Sequence, residues 1–133
     1  VTIAEAVVAR VVAALPGKQV LDGQVVDSPN PAGHVAVYCS EGSYERQGVA
    51  EAAPDTCWVD VTVHSFGPDR RAAQWLSTRL TDNLMSAPIS ASGWQPSWFE
   101  EHHRNPPVSD TDVPGVPTVL IVDQFRSLFA KST

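Results

Sequence analysis

CWVDVTVHSF, residues 57–66, runs without a linker into GPDRRAAQWLSTRL, residues 67–80. In the first half Cys57, Val59, Val61, Val63 and Ser65 alternate with Trp58, Asp60, Thr62, His64 and Phe66. Period-two alternation places one set on each face of a strand. One face is apolar and the other is polar with aromatic flanks, which predicts a sheet covered by helices on one side only. In the second half Ala72, Trp75, Leu76, Leu80, Asn83 and Leu84 recur at helical spacing. Gly67-Pro68-Asp69 is read as the start of that helix, which ends near Met85. Trp75 is read as a core residue.

The rest of the chain extends this pattern in both directions. Thr2-Ile3-Ala4-Glu5 has the form of a capping box. Ile3, Val7, Val11 and Leu15, joined by Val8 and Val12, make a wide helical stripe that Pro16-Gly17 stops. With Glu5 ahead of Arg10 and no basic leader, this stretch reads as an amphipathic helix and not as a signal peptide. Val20–Val26 reads as a bulged strand or a small hairpin, and His34–Cys39 as a strand. Glu41–Asp55 shows no period and is expected to be a loop, a candidate contact arm containing Tyr44 and Arg46. Trp94–Arg104 reads as an irregular strand, Asp110 and Asp112 mark a second loop, and Pro117–Phe129 reads as a long final strand. The order is α-β-β-β-α-β-β. The expected fold is α/β of the α+β kind, a mostly antiparallel mixed sheet with two helices packed on one face, in a single domain spanning 1–133.

Composition narrows the function classes. The 133 residues carry a net charge of −6, with nine Lys and Arg against fifteen Asp and Glu. No basic cluster grips phosphates, so a nucleic-acid binder is not expected. No run of about 18 apolar residues exists to cross a membrane as a helix. Cys39 and Cys57 have no metal-ligand spacing and read as buried reduced thiols of a cytosolic protein.

Three clusters invite chemistry. Glu100-Glu101-His102-His103, with Asp60 and His64 on the earlier strand, offers zinc-ligand types. Their spacing matches no zinc motif, and a polar rim on a strand edge is the preferred reading. No G-x-S-x-G elbow and no phosphate-cradling glycine loop occurs, so no catalytic residue, cofactor or metal is assigned. Trp58, Trp94 and Trp98 stand between local core and partner contact. Arg70 and Arg71 read as a solvated helix end or a pair that meets an acidic neighbour.

Taken together, TIAEAVVARVVAAL, HVAVYCS, WVDVTVHSFGPDRRAAQWLSTRL, the GW followed by EEHHRNPPVSDTDVPG, and TVLIVDQFRSLFA resemble the tail terminator proteins of long-tailed bacteriophages. The resemblance covers nearly the whole chain as an ordered pattern, without a signature motif. It implies a structural protein and not an enzyme. Such proteins form a six-membered ring at the head-proximal end of the tail tube, stop tube polymerisation and offer a joining surface to the head connector. The implied partners are further copies of the chain, the tail tube protein and the connector protein. DNA would pass through the lumen without specific binding. The implied location is the virion, with host cytoplasm during assembly. The residues expected at assembly interfaces are Tyr44, Arg46, Trp58, Arg70, Arg71, Trp94, Trp98, Asp110 and Asp112. The alternatives are another neck or connector adaptor protein, a small metal-dependent or acid–base enzyme using Asp60, His64, His102 and His103, and a ligand-binding domain lined by Trp58, Trp94 and Trp98.

Overall fold

The computed structural model describes residues 1–23, 33–45, 56–110 and 118–132. Helix α1 spans Ile3–Ala14, strand β1 Gln19–Asp22, β2 His34–Glu45 and β3 Thr56–Gly67. Helix α2 spans Arg70–Leu84, and β4 Glu100–Arg104, β5 Val108–Asp110 and β6 Thr118–Ala130 complete the fold. The expected order is observed, with the three-residue β5 inserted before the final strand. The sheet order is β1-β2-β3-β6-β4, and β5 also pairs with β6. β1 and β2 run parallel; every other pairing is antiparallel.

Local chemistry starts both helices. The Thr2 hydroxyl accepts the Glu5 amide at 3.1 Å and donates to the Glu5 carboxylate at 3.2 Å. The second helix begins one step later than Gly67-Pro68-Asp69 suggested, because Asp69 is its N-cap. Its carboxylate accepts the Ala72 amide at 2.8 Å, satisfying a backbone donor that the first turn leaves open. Arg10 reaches from α1 to the far end of α2, donating to the carbonyls of Ala87 at 3.0 Å and Pro88 at 3.1 Å.

The core lies between the helix layer and one sheet face. Val59, Val61 and Val63 on β3, Phe125 and Phe129 on β6, and Val35 and Val37 on β2 are buried there against Val7, Val11, Leu76, Leu80 and Leu84. Gly67 permits the close turn from β3 into α2: a Cβ there would lie 2.6 Å from the Ala73 nitrogen. No disulfide joins Cys39 and Cys57; Cys57 is buried and Cys39 half-buried on the helix-facing side.

Four expectations are corrected. Residues 41–45 are strand and not loop, because β2 continues past a register shift between Ser40 and Ser43 to pair Tyr44 with Cys57. Residues 46–55 lie outside the described residues. Trp94–Phe99 is not strand: Trp94 and Ser97 make only isolated bridges to Lys131 and Ile89, and regular pairing with β6 starts at Glu100. Asp110 closes β5 opposite Thr118, while Asp112 lies outside the described residues. Trp75 is 48% exposed and not core, since the buried row of α2 is Ala73, Leu76, Ser77, Leu80, Thr81 and Leu84.

Ser65 stands on the apolar side of β3, fully buried, and its hydroxyl has no hydrogen-bond partner among the described residues. An unsatisfied buried hydroxyl is a net cost. Ser65→Ala is expected to raise stability by about 1 kcal/mol in urea denaturation. An unchanged or lower midpoint would mean that the hydroxyl is satisfied.

Candidate assembly surface

The sheet face away from the helices is built by the second half of each strand's alternation. Strand register arranges it in cross-strand rows. One row joins His34, Phe66, Leu120 and Val108; the next joins Ala36, His64 and Val122. Tyr38, Thr62, Gln124 and His103 follow, then Ser40, Asp60, Arg126 and Glu100, and finally Trp58 beside Leu128. Neither helix packs on this side.

The face has an aromatic half and a charged half. His34 stacks on Phe66 with centroids 4.5 Å apart and planes 9° from parallel. His64 stands 5.1 Å from Tyr38 and 6.1 Å from Phe66. Partial burial lowers the pKa of both His34 and His64 below the usual imidazole value. Both rings are therefore favoured neutral, which suits stacking. In the charged half the Arg126 guanidinium lies 4.5 Å over the Trp58 ring and pairs with Asp60 at 3.2 Å.

The histidine shifts fix a pH dependence. A base whose folded pKa is depressed binds fewer protons folded than unfolded, so its contribution is complete above the unfolded value and declines as pH falls through it. The melting temperature is expected to drop on acidification from about pH 7.5 to about pH 5.5, more for the native chain than for a His34→Gln/His64→Gln variant. Equal drops would show that these rings do not carry the effect.

A second charged arrangement lies on the helix-facing side. Asp123 on β6 is fully buried; its carboxylate accepts from the Ser77 hydroxyl and from Arg104 Nε, both at 2.5 Å. Arg104 also donates to the Thr81 hydroxyl at 3.0 Å and pairs with Glu101 at 3.3 Å. Partial burial works to lower the Arg104 pKa, but Asp123, with Glu101 and Asp82, more than offsets it. Glu101 is raised above the usual carboxylate value by burial, partly countered by Arg104. These contacts bind β4, β6 and α2 together; they hold structure and leave no open site.

The predicted interface residues do not form one patch. Trp58 is half-buried on the uncovered face. Trp94 is instead local core, set edge-on to Phe129 at 6.5 Å. Trp98 is 57% exposed, and its carbonyl accepts from the Ser127 hydroxyl at 2.6 Å, near the end of the sheet where Trp58 pairs with Leu128. Arg70 and Arg71 are exposed in the first turn of α2, where positive charge opposes the helix dipole and so does nothing for the helix itself. Tyr44 pairs through its backbone with Cys57 on β3 and Asp110 with Thr118 on β6; Arg46 and Asp112 lie outside the described residues. Asp60, His64, His102 and His103 do not converge, and among the described residues no three His, Cys, Asp or Glu side chains are placed to hold a metal ion. Among those residues no helix is long and apolar enough to cross a membrane.

Sequence reasoning missed Trp75 as a surface residue. Lys18 lies 5.7 Å and Arg79 5.5 Å from its ring. The signal was present: Arg71, Trp75 and Arg79 recur every four residues, which puts the indole in the charged row of the helix.

No family model matches the chain, and no curated protein matches it. Solved structures do. A chain of the virion of a native gene transfer agent particle is similar over 97% of this chain and 95% of its own length, at 15% identity and a TM-score of 0.61. A second solved chain covers 92% of this chain and 88% of its own, at 14% identity and a TM-score of 0.56. The bacteriophage SPP1 gp17 protein aligns over 98% of this chain and 91% of its own, at 19% identity and a TM-score of 0.43. At these identities the first two likenesses show a shared fold.

Proposed function

We propose that this chain is a structural protein of a phage-type virion that assembles with copies of itself into a ring at the head-proximal end of the tail tube. There it stops tube polymerisation and provides the surface that the head connector meets. Each copy contributes its 133 residues as one domain, and the chain performs no catalysis. The observation that carries this reading is the end-to-end likeness to a virion component in a chain whose sheet has one face uncovered by its own helices. A half-covered sheet with aromatic and charged rows is surface of the kind that neighbours bury. A ring of identical subunits needs two different patches on each copy. The uncovered sheet face and the helix layer lie on opposite sides and meet that need. The net charge of −6 also suits a lumen through which DNA moves without being held.

Immunogold electron microscopy of purified particles with antibody against this chain tests the location. Label confined to the single tube end beside the head is the expected result. Label along the whole tube would contradict the terminator role, and label retained on tailless heads would favour a connector adaptor.

A further inference from the structure

We propose that the outer row of α2, Arg71, Trp75 and Arg79 with Lys18 beside it, docks on the acidic end of the uncovered sheet face of a second copy, against its Glu100 and Asp60. The row departs from local rules in two ways. The chain has fifteen acids against nine bases, yet among the described residues Lys18, Arg71 and Arg79 form no ion pair. Arg71 also stands in the first turn of α2, where the helix dipole disfavours a cation and no acid offsets it. Departures of this kind are expected at sites set by function and not by the fold. The three α2 residues recur every four positions and so share one face of the helix. The exposed Trp75 ring lies 5.7 Å from Lys18 Nζ and 5.5 Å from the Arg79 guanidinium. Asp82, the acid of the neighbouring turn, leaves this surface positive. Trp and Arg are the residue types most enriched where interfaces are anchored.

The occupant follows from charge complementarity. On the uncovered face Asp60, Arg126 and Glu100 form one cross-strand row, two carboxylates to one guanidinium. Arg126 is engaged by Asp60 and by the Trp58 ring, while Glu100 is exposed and forms no ion pair among the described residues. Leu128 and Trp98, two residues along from Arg126 and Glu100, are exposed apolar side chains. This end of the face therefore pairs negative charge with apolar surface, as the α2 row pairs positive charge with an indole. Either patch set against its own kind would oppose like charges, so the match is head-to-tail between different patches. Within one copy the two patches point away from opposite sides of the sheet and cannot meet. The contact lays the helix layer of one copy over the sheet face that the next leaves uncovered. The proposal rests on the ring reading for closure and copy number; the contact itself stands on charge and exposure.

The chain has two lysines, Lys18 and Lys131, which makes zero-length carbodiimide cross-linking selective. Protein with natural nitrogen is mixed with nitrogen-15 protein at high concentration, with the cognate tube protein present, then cross-linked and analysed by mass spectrometry. The expected product joins Lys18 of one isotope to Glu100 or Asp60 of the other. Trp75→Ala, with its thermal melt checked, is expected to lower the yield by about 30-fold. Arg71→Glu takes no part in the link and suits the helix dipole, so it should melt no lower than the native chain and cut the yield about tenfold. Lys18→Glu alone removes the link, and Lys18→Glu with Glu100→Lys restores it with the ends exchanged. The proposal is overturned if no Lys18 link forms between copies, if Lys18 joins other acids of the second copy or the tube protein instead, or if the yield is indifferent to Trp75→Ala and Arg71→Glu. Rings in the microscope without the Lys18 link would reject this contact and leave the ring reading standing. The link in open filaments without rings would do the reverse.

Discussion

Val61→Asp is expected to abolish the folded state at 25 °C, seen as loss of the cooperative thermal transition by circular dichroism. Val61 is fully buried at the middle of β3, opposite Cys39 on β2 and Phe125 on β6. A carboxylate there has no cation on its side of the strand within the core cluster and no path to water. The cost of an unpaired buried charge rivals the roughly 5–15 kcal/mol that hold a domain together. The adjacent Thr62 points to the uncovered face, so Thr62→Asp should still melt cooperatively. The pair tests the face assignment: two folded proteins, or two unfolded ones, would show that the faces are not segregated as described.

Arg104→Ala is expected to cost about 3–5 kcal/mol, the second-largest effect. The substitution leaves the Asp123 carboxylate fully buried with, among the described residues, the Ser77 hydroxyl as its remaining side-chain hydrogen-bond donor. Arg104 is partly exposed, so the intact pair is less costly to bury than one wholly enclosed, but the carboxylate gains no such relief. Replacing the polar set together, as Arg104→Met, Asp123→Leu and Ser77→Ala, should recover most of the loss, because no buried charge remains. Urea denaturation of the single and triple variants separates the two outcomes. A triple variant no more stable than Arg104→Ala would mean that the network does more than neutralise itself.

What the chain reveals before folding depends on how local each signal is. The alternation in 57–66 identified β3 and its two faces, because period two is a property of the strand alone. The Thr2–Glu5 cap was legible for the same reason. Asp123 is visible as a lone acid within VLIVDQF, but its partner Arg104 lies nineteen residues away and meets it only through the β4–β6 register. Residues 41–45 carry no alternation; they become strand because the backbone ladder of β3 continues beside them. Trp75 was misread by residue type, while its helical row, shared with Arg71 and Arg79, pointed outward. The parallel pairing of β1 with β2 sets Gln19 opposite His34 and Asp22 opposite Val37, a match that no short-range pattern states.

The predicted interface set divides in the same way. Trp58 could be placed by strand parity, since it opposes the valines of its own strand. Trp94 and Trp98 could not, because irregular chain has no period to assign a face; one is core and the other surface. The uncovered sheet face was foreseeable from β3, but its aromatic cluster required the register that brings His34 and Tyr38 beside Phe66 and His64.

In the proposed function, this chain closes on itself as a ring. Negative-stain electron microscopy of the purified protein at high concentration, alone and with its cognate tube protein, tests it most directly. Six-fold rings with a central hole, free or seated on tube ends, are the predicted result. Isolated small particles in both samples, with tube ends left bare, would contradict it.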